Sequence, residues 1–334
     1  MKAIALISGG LDSILAARLI KEEGINIVPL NFKIPFCHRN IKMSSKENKI
    51  NSLVEDSLQE ELKTADIGND FLELLKSPQH GFGANMNPCI DCKILMLSKA
   101  KAIMEQSGVK FIVTGEVLGQ RPMSQHKQAL DAIAKNSGLE GLVLRPLSAK
   151  LLSETIPERE GWVKREKLLS FSGRGRRPQI ELAGTFGIKE YPQPAGGCLL
   201  TDPQFSKKTR DLLKHGGLNL DNVELLKIGR HFRLSPDTKL VVGRDERENG
   251  ELVNLAQEND YLFMPPEELA GPTSLGRGEF NEELIRLSCG ITCRYCDLNG
   301  SNSADIFYKR VSEKGNKVFK APPINSAEID NLKV

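Results

Sequence analysis

A glycine turn, Ser8-Gly9-Gly10-Leu11-Asp12-Ser13, lies between an apolar run, Ala3-Ile4-Ala5-Leu6-Ile7, and a segment of helical spacing that starts near Ser13. Strand, glycine turn and helix in that order build an anion site. Two glycines let backbone N–H groups approach an oxyanion closely, and the helix N-terminus adds unsatisfied donors and a favourable dipole. A phosphate is the natural guest. The run is not a Walker phosphate loop, because no Gly-Lys-Ser/Thr follows at the required spacing. An ordinary tight strand-to-helix turn is the plain alternative.

The segments downstream repeat the alternation. Ser13 to Glu23 keeps helical spacing and stops at Gly24, and Ile25 to Phe32 reads as a buried strand, completing a βαβ unit. The stretch from Lys46 to Leu75 reads as polar and helical; Pro88 opens a helix that runs to about Gln106 and ends at Gly108. A further strand, Lys110 to Thr114, delivers Gly115-Glu116-Val117-Leu118-Gly119-Gln120 at its C-terminal end. Strands alternating with helices argue for an α/β fold with an open parallel sheet, whose ligands collect outside the strand C-termini. From about Pro157 to Pro203 the pattern breaks into Pro, Gly and basic residues, with a short helix at Gln179 to Phe186. Beyond it Phe205 to Lys214 and Glu251 to Gln257 look helical, while 231–234 and 239–243 look like paired strands. The expected organisation is a nucleotide-binding domain over 1–160, a basic connector over 161–203 that completes the site, and a smaller α+β domain over 204–334.

Composition narrows the classes. No stretch approaches the roughly 18 apolar residues of a membrane span, and no signal peptide is apparent, so a cytoplasmic protein is expected. Seven cysteines in 334 residues, an odd number, read as thiols or metal ligands in a reducing compartment. A net charge of +3 is too small to prove a nucleic-acid partner, so the case rests on local clusters. Lys164, Arg165 and Lys167, followed by Ser172-Gly173-Arg174-Gly175-Arg176-Arg177, form one such cluster, suited to a phosphate backbone or, equally, to a solvated linker.

Cys89 and Cys92 stand at the start of a helix, where the dipole favours thiolate, and are therefore candidate ligands or nucleophiles. A zinc site would need a second pair at finger or ribbon spacing, and none is present. Cys198, in Ala195-Gly196-Gly197-Cys198-Leu199, is the candidate third member. Three thiolates without a fourth protein ligand suit an iron-sulfur cluster with one open iron. A redox pair, a catalytic cysteine with a persulfide-carrying partner, and purely structural thiols remain the alternatives.

The loop Ser8 to Ser13, the pair Cys89 and Cys92, and Thr114 to Gln120 with Ser124-Gln125 together resemble the catalytic domain of tRNA 4-thiouridine synthetases and related 2-thiouridylases, ATP pyrophosphatases with an adenine-nucleotide alpha-hydrolase-like (PP-loop) fold. The resemblance covers roughly the first 200 residues. It implies that ATP adenylates a uridine carbonyl oxygen of tRNA, that pyrophosphate and then AMP leave, and that sulfur replaces oxygen. It also implies that Ser8, Gly9, Gly10, Asp12 and Ser13 cradle the ATP phosphates, with Asp12 holding Mg2+. Lys93 would add positive charge where the family has an arginine. Gly115 would allow approach to the nucleotide, and Gln125 aligns with a family nucleotide contact after a one-residue insertion. Cys89, Cys92 and Cys198 match the branch with a three-cysteine, four-iron cluster, and hydrosulfide or a persulfide carrier protein would be the sulfur donor.

The synthetases' N-terminal RNA-binding domains are expected to be missing, so another part should hold RNA. Residues from about Lys227 to Asn254 resemble an RNA-binding module of ribosome-quality-control proteins. Arg230, His231, Phe232 and Arg233 would combine cations with a stacking face; a basic hairpin with a core phenylalanine is the alternative. Cys289, Cys293 and Cys296 have radical-SAM spacing, but too little chain follows for that barrel, so they read as incidental thiols or a second metal site with an outside ligand. Cys37-His38 and His126 carry no assigned role, and oligomeric state, a homodimer included, is open. The expected activity is ATP-dependent tRNA thiolation. Two other readings are a sulfur transferase or ligase that adenylates a small molecule, and an RNA-binding protein with a vestigial nucleotide site.

Overall fold

A computed structural model describes residues 1–37, 43–191 and 197–334, the side chains of 43–49 excepted. The chain divides into two compact units, Met1–Thr201 and Asp202–Val334. His38 and the residues 192–196, which include the Ala195-Gly196 part of the Cys198 motif, lie outside the described residues.

The first unit begins β1 (Lys2–Leu6), α1 (Leu11–Glu22), β2 (Asn26–Lys33), α2 (Met43–Leu58), β3 (Lys63–Asp66), α3 (Gly68–Lys76) and α4 (Cys89–Ser107). It continues with β4 (Phe111–Thr114), α5 (Lys127–Asn136), β5 (Val143–Leu144), α6 (Ile156–Arg159) and α7 (Arg177–Thr185). The strands form a five-stranded sheet in the order β3-β2-β1-β4-β5, and every pairing is parallel. Period-two alternation explains why β1 reads as continuously apolar. Ala3, Ala5 and Ile7 enter one core with Leu11, Ile14 and Leu15, while Ile4 enters another with Leu97, Ala100 and Ile133. Both faces of the sheet are covered by helices, as parallel sheets require. Residues 161–191 add Val163, Leu168, Ala183 and Ile188 to the first of these cores, and α7 packs against α1.

One stretch departs from expectation. The residues from Lys46 to Leu75, read as helical throughout, are interrupted by β3, a four-residue strand that pairs with β2. Lys63, Thr64 and Asp66 are exposed at the sheet edge, so no apolar alternation announces the strand. The ends of the other elements follow local chemistry: Gly24 and Gly108 take left-handed conformations, φ +78° and +65°, just past α1 and α4.

The second unit contains α8 (Pro203–Lys214), α9 (Leu220–Leu226), β6 (Arg230–Ser235), β7 (Thr238–Val242), α10 (Glu246–Leu255), β8 (Tyr261–Met264) and β9 (Ser274–Gly278). It ends with α11 (Glu282–Arg294), β10 (Ala304–Arg310), β11 (Lys317–Ala321) and α12 (Ser326–Leu332). Its six-stranded sheet, in the order β11-β10-β8-β9-β7-β6, is antiparallel, which makes the unit α+β. Cys289 and Cys293 are fully buried on α11 in its core, and burial pushes both thiols up. The Cys293 thiol donates to the Ala321 carbonyl at 3.1 Å and that of Cys296 to the Thr292 carbonyl at 3.4 Å, so these three cysteines act as packed core groups.

The proposed stacking face on β6 is corrected. Phe232 is fully buried and His231 nearly so: neighbouring side chains point to opposite faces of a strand, and Phe232 enters the core with Leu240 and Phe263 while the His231 ring bonds the Ile228 carbonyl at 2.7 Å. Burial, with Lys239 and Lys208 beside it, holds His231 well below its ordinary 6.5. Below about pH 6.5 an unfolded chain binds a proton at this imidazole that the folded chain refuses, so stability is full above that pH and is lost as pH falls. The denaturation midpoint is expected to drop between about pH 7.5 and about 5.5, and His231→Gln should flatten that dependence.

Candidate active site

In the order β3-β2-β1-β4-β5 the sheet changes direction between β1 and β4, and open α/β sheets bind ligands at that switch point. The loop after β1 is Ser8 to Ser13, and the segment after β4 runs from Gly115 to Gln125. Gly9 adopts φ +69°, and Gly10 caps α1 without a side-chain bond, leaving the helix terminus to other partners. The Ser13 hydroxyl donates to the Gly10 carbonyl at 2.7 Å and accepts from the Ser8 N–H at 3.2 Å, closing the loop on itself. Ser13 therefore shapes the cradle from within.

Gly115 has a different neighbour from the one expected. A Cβ there would stand 2.5 Å from the carbonyl carbon and oxygen of Asp12 and from Cα of Ser13. The close approach that Gly115 permits is between β4 and the phosphate-loop backbone. Asp12 is divided: Oδ2 accepts from the Gln120 carboxamide at 3.0 Å, and Oδ1 is buried with no partner. A buried carboxylate oxygen left free suits a hard cation, so the site fits Mg2+.

Beside it, Glu116 is 3% exposed. Burial opposes its negative charge, but Lys93 at 3.5 Å, Arg145 at 3.0 Å and the Thr114 hydroxyl at 3.1 Å hold its carboxyl below the ordinary value. Lys93 is thus engaged by Glu116 while also standing near Cys92, whose thiol its charge favours in the deprotonated form.

The structure brings the three predicted cysteines together and adds a fourth. Cys37 and Cys198 are partners in an isolated antiparallel bridge, with the Leu199 N–H donating to the Phe36 carbonyl at 2.9 Å. The Met86 N–H donates to Leu200 and the Asn85 carboxamide to Thr201, so the Cys198 segment is tied to the residues that lead into α4. The Cys89 thiol donates to the Ser124 hydroxyl at 3.1 Å. Burial raises the Cys92 thiol strongly, and the nearness of Cys198, Cys89 and Cys37 adds to the rise. Burial likewise pushes Cys198 up to about 12, with Cys37 and Cys89 contributing. The expectation that the α4 dipole favours thiolate is therefore overturned for Cys92: desolvation outweighs the dipole.

Among the described residues no three His, Cys, Asp or Glu side chains are already close enough to hold a metal ion. The four thiols share a neighbourhood without converging on a common centre. Their chemistry nevertheless fits a soft metal or an iron-sulfur cluster, since sulfur is the donor such groups select and buried neutral thiols ionise on binding a cation.

Cys37 is the thiol that sequence reasoning left without a role. Cys37 lies just past the C-terminal end of β2, at the same sheet edge as the phosphate loop, which was the available signal. Of the basic run, Arg177 pairs with Glu181 at 2.8 Å; the side chains of Arg174 and Arg176 make no ion pair or hydrogen bond among the described residues. The run is stitched to the site by Gly173, whose N–H donates to the Leu118 carbonyl at 2.7 Å. Gln125 is 4% exposed and its Oε1 has no partner. His126 caps α5, accepting from the Ala129 N–H at 3.2 Å.

Residues 1–154 match the family described as thiamine biosynthesis protein (ThiI). This stretch is similar to ThiI. Residues 229–332 match the NFACT protein RNA binding domain. The ThiI-like stretch is 28% identical over 155 residues to a probable tRNA sulfurtransferase of Thermococcus kodakarensis, covering 44% of this chain and 36% of that protein. It is 32% identical over 125 residues to a probable tRNA sulfurtransferase of Methanosarcina mazei, covering 36% and 29%. The chain thus spans about a third of the length of the curated relatives it matches. A solved 4-thiouridine synthetase–RNA complex with bound ATP is 22% identical, covering 68% of this chain and 52% of that one with a TM-score of 0.38.

Two outcomes follow from this geometry. Gly115→Ala is expected to destabilise the first unit by about 1–3 kcal/mol, measured by denaturation. In metal-stripped protein at about pH 8, Cys92 and Cys198 should alkylate about tenfold or more slowly than an unstructured thiol, as peptide mapping would record.

Proposed function

We propose that this chain is an ATP-dependent tRNA thiolase. The observation that carries the reading is the single segment after β4 that touches both halves of the chemistry: Gln120 holds Asp12 of the phosphate loop, and Ser124 holds Cys89 of the thiols. A nucleotide seated on the loop would have its reacting end directed along this segment toward sulfur. ATP use alone would not need buried thiols beside the phosphate loop, and thiol chemistry alone would not need the loop.

In the first step a uridine carbonyl oxygen attacks the α-phosphorus of ATP, and pyrophosphate leaves with the electron pair of the broken P–O bond. In the second, a sulfur nucleophile adds to the activated carbon, the C–O bond breaks, and AMP departs with that electron pair. Ser8, Gly9, Gly10 and the α1 terminus bind the phosphates, and Asp12 Oδ1 is the oxygen for Mg2+. Glu116 fixes Lys93 beside Cys92. Cys89, Cys92 and Cys198 are the ligands for an iron-sulfur cluster, which would supply an open iron for hydrosulfide. Hydrosulfide or a persulfide carrier protein is the sulfur source.

The second unit is the second contact for tRNA. Arg230 lies over the Tyr295 ring at 4.6 Å and lines, with Arg244, a groove of about 590 Å³. Arg233 is set aside from this role, because its guanidinium is engaged by both carboxylate oxygens of Asp211 at 3.1 and 2.5 Å. Arg174, Arg176 and Arg177 supply further phosphate contacts. Among the described residues no helix is long and apolar enough to cross a membrane.

The test is anaerobic purification with iron and sulfide assay, followed by nucleoside mass spectrometry of tRNA incubated with ATP and sulfide. Wild type is expected to carry about one four-iron cluster and to form thiouridine, whereas Cys198→Ala should lose both while still binding ATP. Thiouridine formed by iron-free protein would make hydrosulfide attack the activated carbon directly, with no cluster in the sulfur step. No thiouridine from cluster-loaded protein would favour a small-molecule substrate.

A further inference from the structure

The turn from Gly119 to Gln125 is held at both ends. The Gly119 N–H donates to the Gln125 carbonyl at 2.7 Å, the Gln125 N–H to the Arg121 carbonyl at 3.0 Å, and the Gln120 N–H to the Val117 carbonyl at 3.1 Å. Arg121 sits on this turn between Gln120, which reaches Asp12, and Ser124, which accepts from Cys89. Lys93 and Arg145, the neighbouring cations on the β4 side, are both engaged by Glu116. The Arg121 side chain is exposed and makes no ion pair or hydrogen bond among the described residues. Its charge also reaches Cys198, where it opposes the effect of burial. The same turn buries Gln125 with an unpartnered Oε1, a second polar group left for a ligand. A free guanidinium on a pinned turn, between a phosphate cradle and a group of thiols, is placed for an oxyanion that lies between them.

We propose that Arg121 binds the α-phosphate of the nucleotide, the one phosphate common to ATP, the uridine adenylate and AMP. The assignment rests on the thiolase reading of the site. When sulfur displaces AMP, the electron pair of the broken C–O bond settles on an oxygen of this phosphate. A guanidinium offers it two parallel N–H donors and a charge that ammonium cannot match in geometry.

Calorimetry of AMP, adenosine and tRNA binding to the full chain, in wild type, Arg121→Gln and Arg121→Lys, tests the assignment. The Gln variant should bind AMP about tenfold or more weakly while adenosine binding and the salt dependence of tRNA binding are unchanged, and the Lys variant should recover part of the loss. AMP binding equal to wild type would overturn the proposal. So would a tRNA salt slope reduced by about one with AMP unaffected, which would make Arg121 an RNA-backbone contact. A wild type that binds no AMP would remove the thiolase reading and the assignment together, whereas AMP-binding wild type with an indifferent variant would remove the assignment alone.

Discussion

The site depends on how closely β4 lies against the loop after β1. Gly115 has no room for a single methyl group, and the atoms it would meet are backbone of Asp12 and Ser13. Parallel pairing of Ala3 to Leu6 with Phe111 to Thr114 brings two distant segments to one sheet edge. With a Cβ at residue 115, the segment after β4 would ride too high for Gln120 to reach Asp12 or for Ser124 to sit by Cys89. The chemistry of the site is thus a consequence of sheet geometry before it is a consequence of any reactive group.

Electrostatics then divides the site into two regions. On the phosphate side, Glu116 survives as a buried carboxylate because Lys93 and Arg145 flank it, an arrangement that leaves the cluster net positive by one charge. On the sulfur side, Cys92 and Cys198 are kept protonated by burial and by each other. Four thiols in one neighbourhood are stable while neutral, and a metal that ionised them would supply the charge their own ionisation demands. Lys93 is the group shared between the regions, near enough to Cys92 to ease its ionisation while tied to Glu116.

Much of this was legible in the sequence, for identifiable reasons. The order of apolar strand, glycine turn and helix fixes the first βαβ unit, since Ala3 to Ile7 must bury both faces. Cys89, Cys92 and Cys198 stood out as candidates through their local motifs and the family resemblance, and they lie near one another in the fold. What escaped depends on tertiary neighbours. β3 is a polar edge strand whose only signature is its hydrogen-bonded partner. Cys37 joins the thiols through a bridge to a residue far along the chain. Arg233 and Phe232 look like RNA-binding groups as a sequence, yet the pleat sends Phe232 inward, and Asp211, on a preceding helix, captures Arg233. The segment expected as a connector contributes Val163, Leu168 and Ala183 to the main core.

The two oxygens of Asp12 are not equivalent, because Gln120 occupies one of them. Any cation that engages this carboxylate must come to it from one side. The oxygens of a nucleotide phosphate are prochiral, and a one-sided approach can tell them apart. A single carboxamide on the neighbouring strand's loop thereby adds to the discrimination that the chiral backbone of the cradle already imposes.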